Sequence, residues 1–432
     1  MALPHSTTPR APQPGPAQPG PALPGPVLPG SAPLPTLRLS APPQTGRIDS
    51  AVLLSTVARL VASGTALSKA DLVAATGLAR TTVSTAVDEL LAGGLLRLDG
   101  LRPTAGRGRP ADRLALAAGG GRVLVADVGA RGAHLAVTDL GQRVLAHTHI
   151  DLDVTDGPDT VLRMVETELT RLRGGSGVPA RAVVIGLPGP VDNHLGIPVR
   201  PPIMPGWHAY PVTARLQQAF GCPAVLENDV NLRALGEARA LPADQVPLLF
   251  VKVGTGIGGG LVTGGGSLHH GADGAAGDIG HVRVRGAPDD ACVCGNVGCI
   301  EAVASAGAIA RRLGRRGEAP SIAEVRAMLG RGDAAAIAAV REAAGLIGEL
   351  VATLVHLYNP ARVTIGGSLT AASDELLAGV RSVVYQRALP LATRNLVLTN
   401  SALGEYAGVA GATVLGIERV LSAESIGLLL GA

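Results

Sequence analysis

Aromatic residues are nearly missing: two Phe, four Tyr and one Trp, 2% of 432 residues. Cores made without them must rest on Leu, Val, Ile and Ala, and a 47% hydrophobic content with only 16% charged residues can fill large ones. No window holds the 18 or so unbroken apolar residues of a membrane span. The N-terminus shows neither the charged start nor the apolar core of a signal peptide. These absences predict a cytoplasmic protein with no membrane partner, a compartment in which structural disulfides are rare. Cysteine is also scarce: four residues, three of them packed into Cys292, Cys294 and Cys299. The length favours two to four domains.

Charge is small in sum (+3) but uneven. Residues 1–45 hold two Arg and no acid, and residues 46–118 hold nine Lys/Arg against six Asp/Glu, which leaves the remainder slightly acidic. A basic N-terminal block on an acidic body suits a polyanion partner, although scatter fits the same numbers. Residues 1–45 also carry 14 of the 32 prolines, in part as the repeat PGPAQ-PGPAL-PGPVL-PG. Such a stretch lacks backbone donors and buriable surface, which predicts a disordered, polyproline-rich tail.

Residues 46–118 read as a small helical domain with a β wing. Val52-Leu53, Val57 and Leu60-Val61 have helical spacing. Ser68 and Asp71 form a capping pair that opens a second helix, which Thr76-Gly77 closes. The third helix, from Arg80, stripes Val83, Val87 and Leu90-Leu91 on one face and Arg80, Thr81, Thr82, Ser84 and Thr85 on the other. A strand from Leu95 follows, with Leu114–Leu116 returning beside it. This is the outline of a helix-turn-helix, and small hydroxyl residues let such a helix approach a groove floor. An ordinary solvated helix face fits the same residues. The wing segment Gly106-Arg107-Gly108-Arg109-Pro110 favours DNA, because Arg107 and Arg109 suit the negative potential of a narrow minor groove.

From Arg122 the pattern becomes α/β. Strands are expected at 122–129, 134–139, 143–152 and 182–189, with a helix over 159–172. A second unit repeats the idea: strand 247–254, a Gly-rich loop, then strand 260–263. The duplication predicts two lobes with a cleft between them.

Four stretches carry chemistry. In Gly254-Thr255-Gly256-Ile-Gly-Gly-Gly260 the glycines free backbone N–H groups to face an anion, a weak signal in a chain with 59 glycines. Asp127 and Gly129 end the corresponding strand of the first unit, where an Asp reaches a metal-bound phosphate or merely caps a turn. Asn228 and Asp229 sit at a strand terminus, where α/β ligand sites lie, and a helix N-cap fits them too. Three thiolates at Cys292-x-Cys294-x4-Cys299 with one imidazole make a closed tetrahedral zinc site, and His281 has the best spacing for the fourth ligand. Cys222 reads as a plain core residue.

Together these stretches resemble the ROK family (repressors, open reading frames and sugar kinases) over about residues 48–420. The carriers are Gly-Leu-Pro-Gly-Pro-Val-Asp192, Pro205-Gly206-Trp207, Glu-Asn-Asp-Val-Asn231, Gly-Thr-Gly-Ile-Gly258, Ala-Gly-Asp-Ile-Gly-His281, the Cys292–Glu301 motif, Asn359–Gly367 and Ala407–Gly411. The resemblance implies a winged helix-turn-helix at 46–118 and, at 119–432, a bilobal actin-like ATPase domain, ribonuclease H-like and duplicated. It assigns sugar contacts to Asn228, Asp229, Asp278, His281 and Glu301, with Asp229 as general base if the chain is a kinase. Phosphate contacts would fall on Asp127, Gly129, Gly254, Thr255 and Gly256, and adenosine near Gly366 and Gly367. Zinc would be structural, on His281, Cys292, Cys294 and Cys299, and ATP with Mg²⁺ would be bound only by an active kinase.

Departures from the kinase pattern weigh against that activity. Ala130-Arg131 stands where kinases carry Gly-Thr, and Asp278 is one methylene shorter than the usual Glu. The segment Gly264–His270 is one residue longer than usual. Ala79 replaces a capping Ser, at a cost of about 1 kcal/mol. The expectation is therefore a sugar-responsive transcriptional regulator, a repressor of carbohydrate genes. It would bind inverted-repeat operator DNA as a homodimer or homotetramer and answer to a sugar or sugar phosphate. The alternative is an ATP-dependent hexose kinase carrying a DNA-binding domain.

Overall fold

The computed structural model describes residues 34–41, 49–102, 111–175, 177–314, 318–370 and 373–431. Most of the proline-rich stretch and the wing tip, with Arg107 and Arg109, lie outside the described residues.

The N-terminal domain has helices α1 (Ser50–Ala62), α2 (Lys69–Thr76) and α3 (Arg80–Ala92), then strands β1 (Leu96–Arg102) and β2 (Ala111–Leu116). Asp49 caps α1 by accepting from the Val52 N–H at 2.8 Å, and Ser68 caps α2 from the Asp71 N–H at 3.1 Å. Gly77, at φ 68°, ends α2 in the left-handed conformation that glycine adopts without strain. Ala79 precedes α3 with no side-chain cap, as its chemistry dictates. Leu54, Val57, Leu72, Val83, Val87 and Leu90 close one core. The wing strands pair antiparallel, with Leu96 opposite Leu116 and Leu98 opposite Leu114.

The body begins with β3 (Arg122–Gly129), β4 (Gly132–Asp139) and β5 (Val144–Asp151), then α4 (Pro158–Arg173) and β6 (Ala180–Leu187). A small hairpin, β7 (Val191–Asp192) and β8 (Ile197–Pro198), leads to α5 (Val212–Phe220), β9 (Ala224–Asn228) and α6 (Asp229–Ala240). The second lobe holds β10 (Leu248–Val253), β11 (Ile257–Val262), α7 (Ile300–Ala304), α8 (Ala306–Leu313), α9 (Ile322–Gly330), α10 (Ala334–Tyr358), β12 (Arg362–Gly366), α11 (Glu375–Arg387), α12 (Pro390–Thr393) and β13 (Val397–Asn400). Helices α13 (Ala407–Val420) and α14 (Ala423–Leu430) return to the first lobe and the N-terminal domain. The two main sheets run β5-β4-β3-β6-β9 and β11-β10-β12-β13. Each has an antiparallel hairpin followed by parallel strands, so the second repeats β4-β3-β6-β9 of the first.

The central strands are unbroken apolar runs because helices cover both faces. Along β3, Val123 and Val125 pack with Val409, Val414 and Ile417 of α13, while Leu124, Ala126 and Val128 pack with Val161, Leu162 and Val165 of α4. This is the two-residue alternation of a strand, read on both sides.

Two expectations need correction. The glycine-rich loop was expected to run from 254 to 260, but Ile257–Val262 is strand β11 and only Gly254-Thr255-Gly256 remains as the turn. The strand glycines serve packing: a β-carbon at Gly258 would lie 2.8 Å from Val230 Cγ2, and one at Gly260 2.6 Å from Ala234 Cβ, so β11 presses directly on α6. The expected disordered tail also extends too far. Residues 34–41 lie along the body with Leu37 and Leu39 buried. Arg38 places its guanidinium on the C-terminal carbonyls of α6, Nη2 to Ala238 at 2.7 Å and Nε to Leu241 at 2.6 Å. Ser40 donates to Glu418 of α13 at 2.7 Å and accepts from Arg59 of α1 at 2.6 Å. Two buried leucines and these charge-assisted bonds outweigh the ordering entropy of a short segment.

Candidate functional site

A cleft of about 450 Å³ opens between the lobes. Asp127, Gly129, Asn228, Asp229, Gly254, Thr255, Gly256, Asp278, His281, Glu301 and Gly367 all line it, brought together from across the sequence. Gly366 does not: it is the buried last residue of β12, where a β-carbon would lie 2.4 Å from the Phe250 ring.

Strand β9 delivers Asn228 to the cleft, and α6 begins there. Asn228 Oδ1 accepts from the N–H groups of Val230 and Asn231 at 2.9 and 3.2 Å, and its amide donates to the Gly189 carbonyl at 2.9 Å. It is therefore a helix cap, with one amide hydrogen left for a ligand. Asp229 follows, 2% exposed, its Oδ2 bonded by the Lys252 ammonium. Asp127, 1% exposed, accepts from Arg233 Nη2 at 2.7 Å. Burial pushes the Asp127 carboxyl above the usual carboxylate range, against the opposite pull of Arg233. Among the described residues, Asp127 Oδ1 and Arg233 Nε are buried without hydrogen-bond partners. Ala130 and Arg131 form the two-residue turn between β3 and β4, and Arg131 reaches out to Asp153 at 3.1 Å. The Asp278 carboxylate accepts no hydrogen bond among the described residues and is exposed in the cleft.

Sequence reasoning missed Lys252 and Arg233. Their signals were present: Lys252 is the only charge in the strand Leu248–Val253, and Arg233 stands one helical turn after Asp229.

His281, Cys292, Cys294 and Cys299 converge beside the cleft, with one ligand atom of each within 4.8 Å of all the others. His281 Nδ1 lies 3.5 Å from Cys292 Sγ, and Cys294 Sγ 3.7 Å from Cys299 Sγ. Metal–sulfur and metal–nitrogen bonds of about 2.3 and 2.0 Å around a tetrahedral ion demand separations close to these. The donor set therefore fits one metal ion with no open position. Ligation through Nδ1 leaves His281 Nε2 as an N–H donor. Cys299 immediately precedes α7, whose second residue, Glu301, accepts the Ile257 N–H at 3.1 Å. The metal group and the Gly254–Gly256 turn are thus joined through one carboxylate.

A histidine wall, also unforeseen, flanks the first lobe's side of the cleft. His134 Nδ1 and His147 Nε2 lie 3.2 Å apart, and His149 meets the His134 ring edge-on at 4.8 Å. Burial, and then the neighbouring His149 and His147, lower the His134 pKa from 6.5 to about 3. Between those values the unfolded chain binds the extra proton, so this contribution is full above pH 6.5 and is lost on acidification. From pH 7 to 5, native protein should lose up to about 2 kcal/mol of stability that His134→Asn keeps, at about 1.4 kcal/mol per pH unit below 6.5. Parallel pH slopes in urea unfolding would refute this.

Residues 123–419 match the ROK family. The chain belongs to the ROK family. Thermotoga maritima glucokinase is 32% identical over 296 residues, 64% of this chain and 92% of that protein. The xylose repressor of Caldicellulosiruptor bescii is 27% identical over 363 residues, 80% of this chain and 90% of that one. The crystal structure of a ROK family transcriptional regulator, a homologue of E. coli Mlc, superposes with a TM-score of 0.73 at 24% identity and covers 88% of this chain and 98% of its own. The body therefore has the actin-like sugar-kinase fold of the ROK family, preceded by a winged helix-turn-helix consistent with the repressor relatives. The repressor alignment spans more of this chain than residues 119–432 can supply, so it reaches into the N-terminal domain.

On that domain, Arg80, Thr81, Thr82 and Thr85 of α3 are exposed on one face. Ser84 is half-buried and accepts from Lys69 Nζ at 2.8 Å, a bond that ties α2 to α3. No helix among the described residues is long and apolar enough to cross a membrane.

Proposed function

We propose that this chain is a sugar-responsive DNA-binding regulator, a repressor of carbohydrate-metabolism genes. The observation that carries the reading is the exposed α3 face of a winged helix-turn-helix packed onto the first lobe of a sugar-kinase fold. Arg80, Thr81, Thr82 and Thr85 would read the major groove, with Ser84 spent on positioning, and Arg107 and Arg109 would enter a minor groove. A dimer would set two such helices on an inverted repeat. In the cleft, Asn228, Asp229, His281 and Glu301 would hold sugar hydroxyls, with a weaker contact from the shorter Asp278. Structural Zn²⁺ would occupy the Cys₃His group and fix His281 and Glu301 to one wall.

Sugar binding at the N-terminus of α6 would shift that helix, and Arg38 on its C-terminal carbonyls would carry the shift through Ser40 to Arg59 of α1. A kinase remains the second reading, favoured by Asp229 and the intact Gly254–Gly256 turn. Against it stands Arg233 on Asp127, which occupies the carboxylate that a Mg²⁺-phosphate would need.

Selection from a random DNA library, followed by affinity measurements with and without a hexose panel, tests the reading. A sequence-specific site whose affinity moves with a sugar is expected. Robust ATP-dependent phosphorylation, lost in Asp229→Asn, without selective DNA binding would overturn it. Replacing Arg107 and Arg109 by Ala should weaken operator binding and flatten its log–log salt slope by up to about 0.9 per lost phosphate contact. An unchanged slope would remove the wing from the interface.

A further inference from the structure

The cleft floor carries two positive side chains that hydroxyl recognition alone does not use. Arg233 projects from α6 and Lys252 from β10, and both line the cleft beside Asp127 and Asp229. Each spends part of its donor capacity on one carboxylate. Lys252 keeps two further N–H bonds and Arg233 keeps Nη1, while the unpartnered Arg233 Nε is closed off by burial. Thr255 and the Gly254–Gly256 turn line the same cleft. We propose that Arg233 and Lys252 form an anion subsite on the cleft floor, and that the cleft's ligand is a sugar already phosphorylated on the hydroxyl facing Asp229. This rests on the reading of the cleft as a sugar site.

The chemistry favours a phosphomonoester over either alternative. A free hydroxyl satisfies Asp229 and leaves the remaining donors of both cations idle. Nucleotide would arrive with Mg²⁺ and seek bare carboxylates, but Arg233 already holds Asp127 at 2.7 Å. A monoester brings its own negative charge and three acceptor oxygens, which match the remaining ammonium and guanidinium hydrogens. Two bare carboxylates would repel it, but here each is neutralised by a cation from this chain.

Calorimetry on the full chain tests this with glucose, mannose and N-acetylglucosamine, each offered free and as its 6-phosphate, and with inorganic phosphate alone. At least one 6-phosphate should bind ten-fold or more tighter than its parent sugar. In Lys252→Met and in Arg233→Met that ratio should fall below about three-fold. If a parent sugar binds but no 6-phosphate binds more tightly than its parent in the native protein, the inference is overturned whether or not the variants fold, and the sugar-effector reading stands. Inorganic phosphate binding as tightly as any sugar phosphate overturns the sugar-phosphate assignment. If neither form of any sugar binds, the sugar-effector reading falls and the inference with it.

Discussion

Cys294→Ser should lose the metal and the sugar response together. Serine keeps the shape of the side chain but offers a hard, protonated oxygen where the other ligands need a thiolate. Cys294 is the least buried of the three clustered thiols and lies away from the cleft lining, so the change alters no direct ligand contact. Zinc content should fall from one per chain to near zero. Without the metal, His281 loses the bond that fixes its ring, and the Cys292–Cys299 loop loses its anchor against the Arg283–Cys299 bridge. Glu301, two residues beyond Cys299, then loosens its hold on the Ile257 N–H. Ligand affinity should drop by about 10- to 100-fold, the usual scale for losing the shell that orients a binding group. Zinc measured by mass spectrometry and affinity measured by calorimetry decide the matter. A metal-free variant with full sugar affinity would break the proposed link.

The sequence made some of this legible because the governing physics is local. The run Arg122–Gly129 is a strand buried on both faces, and its boundaries follow from its apolar continuity. The Cys₃His group is legible because its ligands fall within a short span and thiolate chemistry restricts what they can do. What escaped is non-local. Lys252 meets Asp229 across 23 residues and Arg233 meets Asp127 across 106, so nothing in either neighbourhood announces the pair. Leu37 and Leu39 were hidden by proline-rich surroundings, although two leucines around an arginine are what a docking segment requires. The β11 glycines misled in the opposite direction. Glycine marks close backbone approach as well as phosphate loops, and here the approach is to α6.

Arg38→Ala should uncouple the cleft from the operator while leaving each able to bind its own ligand. The guanidinium satisfies two carbonyls at the C-terminal end of α6, where the helix dipole also favours a cation. That helix is 12 residues long, about 18 Å, and its other end is the Asn228–Asp229 site. A displacement at one end of so short a rigid element must appear at the other. Arg239 donates to the Arg38 carbonyl at 3.0 Å and pairs with Glu418 at 3.2 Å, and Glu418 holds Ser40, which receives Arg59 of the DNA-binding domain. Coupling between effector and operator sites is commonly worth 5- to 150-fold in affinity. In Arg38→Ala the ratio of operator affinities with and without sugar should fall below about two-fold. Sugar affinity and sugar-free operator affinity should each stay within a few-fold. The variant should also melt earlier, since bonds from a charged donor contribute about 1.5–3 kcal/mol each. A second route runs through Ser55 Oγ of α1, which donates to the Leu421 carbonyl at 2.6 Å, beside α14. If Ser55→Ala abolishes the sugar response and Arg38→Ala keeps it, the signal travels through α13 and α14 instead, and the strap is only an anchor.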